Sequence, residues 1–160
     1  MNIQPRIEIS PQKKLIGIKV KMSLANNKTG ESWKSFLSRQ NEIVNKKSNK
    51  KFSLQVYAEP LQLGDVNTEF EKWALVEVLA FENVPNKMEI FNLERGLYAV
   101  FPYKGLSTDP QIFIYIFSDW LPNSDYELEE RPHFEILGEK YKNDDPNSEE
   151  EIWIPIRTKK

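Results

Sequence analysis

Two glutamates and a group of large aromatic side chains are the residues here with the most chemistry to offer. Glu77 lies in Trp73-Ala74-Leu75-Val76-Glu77-Val78, and Glu135 in His133-Phe134-Glu135-Ile136-Leu137. Both stretches are rich in β-branched and aromatic residues, so each carboxyl is expected within a strand. An unpaired carboxylate in an apolar setting must give up its hydration or take up a proton, and an arriving cation offsets that cost. Aromatic faces add cation–π attraction of roughly 0.5–2 kcal/mol each. These residue types therefore suggest loose, charge-selected binding of an organic cation by one or both glutamates. An enzymatic alternative uses the same residues: Glu135 as base or nucleophile, with Tyr57 or Tyr98 donating a proton, in hydrolysis of a small electrophile.

Other chemistries find little support. The chain has no cysteine, which removes thiol nucleophiles and disulfides and disfavours structural zinc. Its one histidine, His133, follows Pro132 at a strand start and reads as a loop-edge residue rather than a catalytic base. No Gly-rich phosphate loop and no convincing Ser-His-Asp context is present, so neither a cofactor nor a metal is expected. A net charge of −2 gives no general attraction for nucleic acid or an anionic membrane. The basic run Lys46-Lys47-Ser48-Asn49-Lys50-Lys51 has no interleaved aromatics and reads as a solvated loop. No stretch approaches the ~20 apolar residues of a membrane helix. The opening residues, Met1-Asn2-Ile3-Gln4-Pro5-Arg6, show no signal-peptide pattern, so the cytoplasm is the expected location.

The elements that would position these residues follow a duplicated pattern. Ile7-Glu8-Ile9 and Leu15-Ile16-Gly17-Ile18-Lys19-Val20 read as two strands broken at Ser10-Pro11. Thr29-Gly30-Glu31-Ser32 begins a helix that carries Trp33, Phe36, Leu37, Gln40 and Val44 at helical spacing. Strands follow at Phe52 to Ala58 and Phe70 to Phe81. Met88-Glu89-Ile90 then repeats the first strand at an offset of 81 (88 − 7), with Leu97 to Phe101 and Phe117 at the same offset from Ile16 to Val20 and Phe36. Later strands drift: Glu135 lies 80 after Gln55 (135 − 55), and Trp153 lies 78 after Leu75 (153 − 75). The expected fold is α+β, a pseudo-twofold β-β-α-β-β duplication in one 1–160 domain with halves of about 1–82 and 83–160. One curved antiparallel sheet would carry both helices on one face.

One segment resists that pattern. Ile112-Phe113-Ile114-Tyr115-Ile116-Phe117 has the composition of a strand. Asp109 as a cap, Pro110 at the first helical position and Pro122 as a stop nevertheless predict a buried helix, as does the repeat.

Alternation sorts the strand residues into two faces. Ile16, Ile18, Val20, Leu54, Val56, Ala74, Val76, Val78, Leu97, Ala99, Phe101, Phe134, Ile136, Ile152, Ile154 and Ile156 form an aliphatic face expected beneath the helices. Gly17, Lys19, Gln55, Tyr57, Trp73, Leu75, Glu77, Tyr98, Val100, His133, Glu135, Leu137 and Trp153 form the other. That second face mixes aromatics with two carboxyls, the usual makeup of a ligand pocket. The expected ligand-binding set is Glu135, Glu77, Trp73, Tyr57, Tyr98, Trp153, Leu75 and Leu137.

The ordered set Trp73 to Val78, Val84-Pro85, Gly96-Leu97-Tyr98-Ala99-Val100-Phe101-Pro102-Tyr103-Lys104-Gly105, Trp120 to Leu128, Arg131-Pro132-His133-Phe134-Glu135 and Glu151-Ile152-Trp153-Ile154-Pro155-Ile156 resembles the GyrI-like, or AraC effector-binding, domain family. The resemblance implies the duplicated fold above and a ligand-sensing role, with Glu135 as the family's acidic pocket residue. Glu77 matches the acidic position of the central strand, and Trp153 stands where many relatives carry Tyr. Family activators place a helix-turn-helix ahead of this domain; the chain starts at the first strand, so no DNA-binding module is expected. The resemblance implies a small-molecule binder of the multidrug-sensing type, a monomer or weak dimer, with a regulator or gyrase as a possible protein partner. A gyrase-inhibitor-like role would draw on acidic loops such as Asp144-Asp145 and Glu149-Glu150-Glu151.

Overall fold

The computed structural model describes residues 3–59 and 64–160. Strands β1 (Arg6–Ser10) and β2 (Lys13–Met22) lead to helix α1 (Thr29–Arg39) and a short 3-10 turn (Gln40–Glu42), followed by β3 (Lys46–Val56) and β4 (Phe70–Val78). The second half runs through β5 (Glu89–Leu93), β6 (Gly96–Lys104) and a composite helix. That helix comprises α2 (Gln111–Tyr115), a π-helical stretch (Ile116–Trp120) and a last turn, α3 (Leu121–Asn123). The half closes with β7 (Tyr126–Leu128), β8 (His133–Leu137) and β9 (Glu149–Thr158).

The strands form one antiparallel sheet in the order β1-β6-β9-β8-β3-β4-β2-β5, with β7 pairing to β9 off this path. Exchanging the halves reverses the order onto itself, so the twofold axis passes through the β3–β8 seam. There Leu54 faces Phe134, flanked by Ser53–Glu135 and Gln55–His133. The duplication read from the sequence is real, with one change of register. Trp73 pairs with Leu54 and Trp153 with Phe134, so Trp153 is the mate of Trp73 at an offset of 80 (153 − 73), not of Leu75. Each tryptophan also donates its indole N–H to the glutamate two residues earlier, Trp73 to Glu71 at 3.2 Å and Trp153 to Glu151 at 3.3 Å. The first strand of each half pairs with the opposite half: β1 joins β6, and β5 joins β2.

Three apolar clusters hold this sheet. Under α1, Phe36 packs on Ile16, Ala74, Val76 and Val78. Under the composite helix, Ile112 and Ile116 pack on Ala99, Phe101, Ile152, Ile154 and Ile156. The third cluster lies on the far face, where Leu15, Leu54, Trp73, Leu75, Leu93, Tyr98, Val100, Phe134 and Trp153 meet. Because that cluster draws on strands from β2 to β9, the sheet must curl around it, and the far face becomes a second core.

The strand-like segment after Pro110 is helical, and Asp109 Oδ1 accepts the Gln111 N–H at 3.0 Å. It is less enclosed than its composition predicts, since Ile114 is exposed. Two expectations fail at the end of α1. The helix stops at Arg39, so Gln40 falls in the 3-10 turn and Val44 lies beyond it, exposed. The lysine run is not a loop but the start of β3, where Lys46 pairs with Val78 and Lys51 with Val76 around an irregularity. Backbone pairing with β4 is indifferent to the charge of side chains that point into water. Among the described residues no helix is long and apolar enough to cross a membrane.

Candidate functional site

The two helices rest on opposite halves of the sheet, α1 over β2 and β4 and the composite helix over β6 and β9. The seam between them, on β3 and β8, presents polar residues to the helix side: Ser53, Gln55, His133 and Glu135. Those four share strand parity, as do Lys72 on β4 and Glu150 on β9, which flank the seam on the same face. Tyr57, just past β3, sets its ring 5.1 Å from both His133 and Phe70. Phe117, in the π-helical stretch, reaches His133 from the other helix at 6.1 Å.

Glu135 is the centre of this polar seam. It is half-buried, and Gln55, its twofold mate, donates Nε2–H to its Oε1 at 3.3 Å. Burial raises its pKa, against the pull of the Lys72 charge and the Gln55 hydrogen bond. Burial also pushes Glu150 up to about 7, helped by repulsion from Glu135 and opposed by Lys72. Lys72 is lowered by burial, which the two carboxyls counter. Tyr57 is raised, first by burial and then by the Glu135 charge. His133 falls to about 4, through burial and the Arg131 charge, so its imidazole is neutral near pH 7. The seam thus brings two carboxyls and one ammonium to one face of the sheet, beside the rings of Tyr57, His133 and Phe117.

Of the eight ligand-binding residues expected from the sequence, Glu135, Tyr57 and Leu137 lie on this face. Trp73, Leu75, Glu77, Tyr98 and Trp153 lie on the other, so the expected convergence of both glutamates with the tryptophans on one surface is corrected. On β3 and β8 the expected faces are reversed: Leu54, Val56, Phe134 and Ile136 join the far core, while Gln55, His133 and Glu135 look toward the helices. The far-face aromatics also carry the protein's own cations. Lys19 sits 5.4 Å over Trp73, Arg6 5.8 Å over Trp153 and Arg131 4.7 Å over Tyr98. Tyr98 is fully buried and its hydroxyl donates to Pro132 O at 3.1 Å, so it cannot pass a proton to Glu135. Glu77 faces Lys47 at 3.6 Å and Lys13 at 4.0 Å. Pairing Glu135 with Tyr98, or with Glu77, is therefore excluded by placement.

Lys72, Gln55, Phe117 and Glu150 were not singled out as ligand contacts from the sequence. Lys72 did leave a signal, since it shares parity with Ala74, Val76 and Val78 on an otherwise aliphatic face. Glu150, taken with an acidic loop, belongs instead to β9, where it pairs with Tyr103.

The fold is shared with known proteins. The family model of integron-associated effector binding proteins (Cass2) matches residues 6–156. The chain belongs to this family. The transcriptional regulator BrlR of Pseudomonas aeruginosa is 31% identical over 159 residues. That match takes in 97% of this chain but 56% of BrlR, so the chain spans about half the length of the regulator it resembles. The C-terminal domain of EcmrR has the same fold, with a TM-score of 0.72 at 14% identity over 99% of this chain and all of that one (100%). A structure of SAV2435 bound to tetraphenylphosphonium superimposes with a TM-score of 0.69 at 15% identity, covering 97% of this effector-binding chain and 94% of the other.

Proposed function

We propose that this chain binds small aromatic molecules bearing a positive group in the cleft over the β3–β8 seam, with Glu135 as the counter-charge and Tyr57, His133 and Phe117 as the aromatic wall. One observation carries the reading: Glu135 is set deep in the fold yet keeps solvent contact, and its one hydrogen-bond donor among the described residues is a neutral amide. A carboxylate held this way is under-compensated, and a cation restores what burial removes. Membership of an effector-binding family and the tetraphenylphosphonium held by SAV2435 support the same ligand class. The breadth of the aromatic wall fits recognition of several ligands by charge and flat surface rather than by a full set of hydrogen bonds. In the cell this is a sensing role in the cytoplasm, read out through a regulator.

Isothermal titration with tetraphenylphosphonium tests the reading. Saturable binding to the native chain, weakened tenfold or more by Glu135→Gln at equal folded fraction, is the expected result. Unchanged affinity in Glu135→Gln would remove Glu135 from the account. Equal binding of tetraphenylborate, which has the same shape and the opposite charge, would remove charge selection.

A further inference from the structure

Lys72 differs from the other charged groups of the seam because the sheet has no need of it. Its twofold mate is Ile152, at the offset of 80 (152 − 72), and that isoleucine is fully buried beneath the composite helix. A plain aliphatic side chain therefore serves at this point of the fold. Lys72 is only 9% exposed, and a buried ammonium is costly to keep charged unless an anion meets it.

Two anions are near but not in contact. Glu135 and Glu150 both act on Lys72 through their charge, yet among the described residues neither makes an ion pair or hydrogen bond with it. Gln55 explains the separation. It pairs in register with Lys72 on one side, and on the other its amide is committed to Glu135. Opposite charges that would otherwise collapse together are held apart on the floor that β3, β4, β8 and β9 form at the seam.

Such a floor is complementary to a molecule that is itself dipolar. A simple organic cation drawn to Glu135 also meets the Lys72 ammonium, and a simple anion drawn to Lys72 meets two carboxyls. We propose that Lys72 makes the cleft selective for amphoteric ligands, aromatic molecules that bring a cationic group to Glu135 and an anionic group to Lys72. This rests on the cleft being the ligand site.

Two dyes with one ring system separate the possibilities: tetramethylrhodamine, whose carboxylate makes it zwitterionic, and its methyl ester, a monocation. Fluorescence anisotropy on the native chain should show the zwitterion bound at least about tenfold more tightly, the scale of one charge interaction beyond contact distance at an effective dielectric near 20. Lys72→Met should abolish that preference by weakening the zwitterion and tightening the ester, while Lys72→Arg should retain it. Because isoleucine serves at the mated position, Lys72→Met is expected to fold, which circular dichroism checks. No preference in the native chain, or a preference untouched by Lys72→Met, overturns the proposal. If Glu135→Gln weakens both dyes while Lys72 proves indifferent, only this inference falls. If neither dye binds, or Glu135→Gln changes nothing, the ligand-site reading falls with it.

Discussion

Replacing Glu150 by glutamine should stabilise the protein in alkaline solution and leave it unchanged in acid. Burial, reinforced by the Glu135 charge and opposed by Lys72, raises Glu150 from 4.5 to about 7. Between those values the folded chain keeps a proton that the unfolded chain releases. The raised group's contribution to stability is therefore complete below about pH 4.5 and is lost as pH climbs through 7. At about 1.4 kcal/mol per pKa unit, the full loss is on the order of 3 kcal/mol, and water reaching a partly open carboxyl trims it to about 1.5–3 kcal/mol. Glutamine mimics the protonated acid and cannot ionise. Glu150→Gln should match the native chain near pH 4.5 and melt about 3–12 °C higher at pH 8, taking about 2–4 °C per kcal/mol for a chain of this size. Calorimetry of both proteins across that range reads the difference, in which the titration of His133, on which the Glu150 charge does not act, largely cancels. A Tm gap that stays constant from acid to alkali would refute the reasoning.

Two further substitutions probe the sheet. In Gly17→Ala the added Cβ would sit 1.8 Å from the Ala74 carbonyl oxygen, which is strand backbone and cannot yield without parting β2 from β4. Overpacking of this kind costs roughly 1–3 kcal/mol or more, read as a fall in denaturation midpoint. Trp153→Ala should cost about 3–5 kcal/mol by opening the far-face core while leaving dye affinity unchanged at equal folded fraction. A ligand-specific loss would return Trp153 to the binding surface.

Much of the fold was legible because local signals agreed. The paired strands, the repeat and the Asp109-Pro110 helix start each had a mechanism written in the residues. The phase of β3 and β8 did not, and the error has a physical source. An aliphatic face was assumed to lie beneath helices throughout, which holds on β2, β4, β6 and β9. Among the described residues the helices pack over β2, β4, β6 and β9 rather than over the seam, so polar side chains are tolerated there, while the curl of the sheet buries the opposite face. Phe134 and Ile136 accordingly turn away from the helices, and His133 and Glu135 turn toward them. Alternation fixes which residues share a side but not which side of a curled sheet is lined with helices. Trp73 and Trp153 misled for a related reason: they occupy a core whose lid is the sheet itself. The π-helical stretch that brings Phe117 to His133 left no sequence signal that alternation or capping could detect.

The exchanged edge strands bear on how the molecule comes apart. Since among the described residues β1 pairs only with β6, and β5 only with β2, each half's outermost ladder is supplied by the other. Loosening either half strips a neighbour from its twin, so partial melting has no stable stopping point. The two copies of the motif are bound to unfold together, although a short connection between Val78 and Glu89 is all that joins them along the chain.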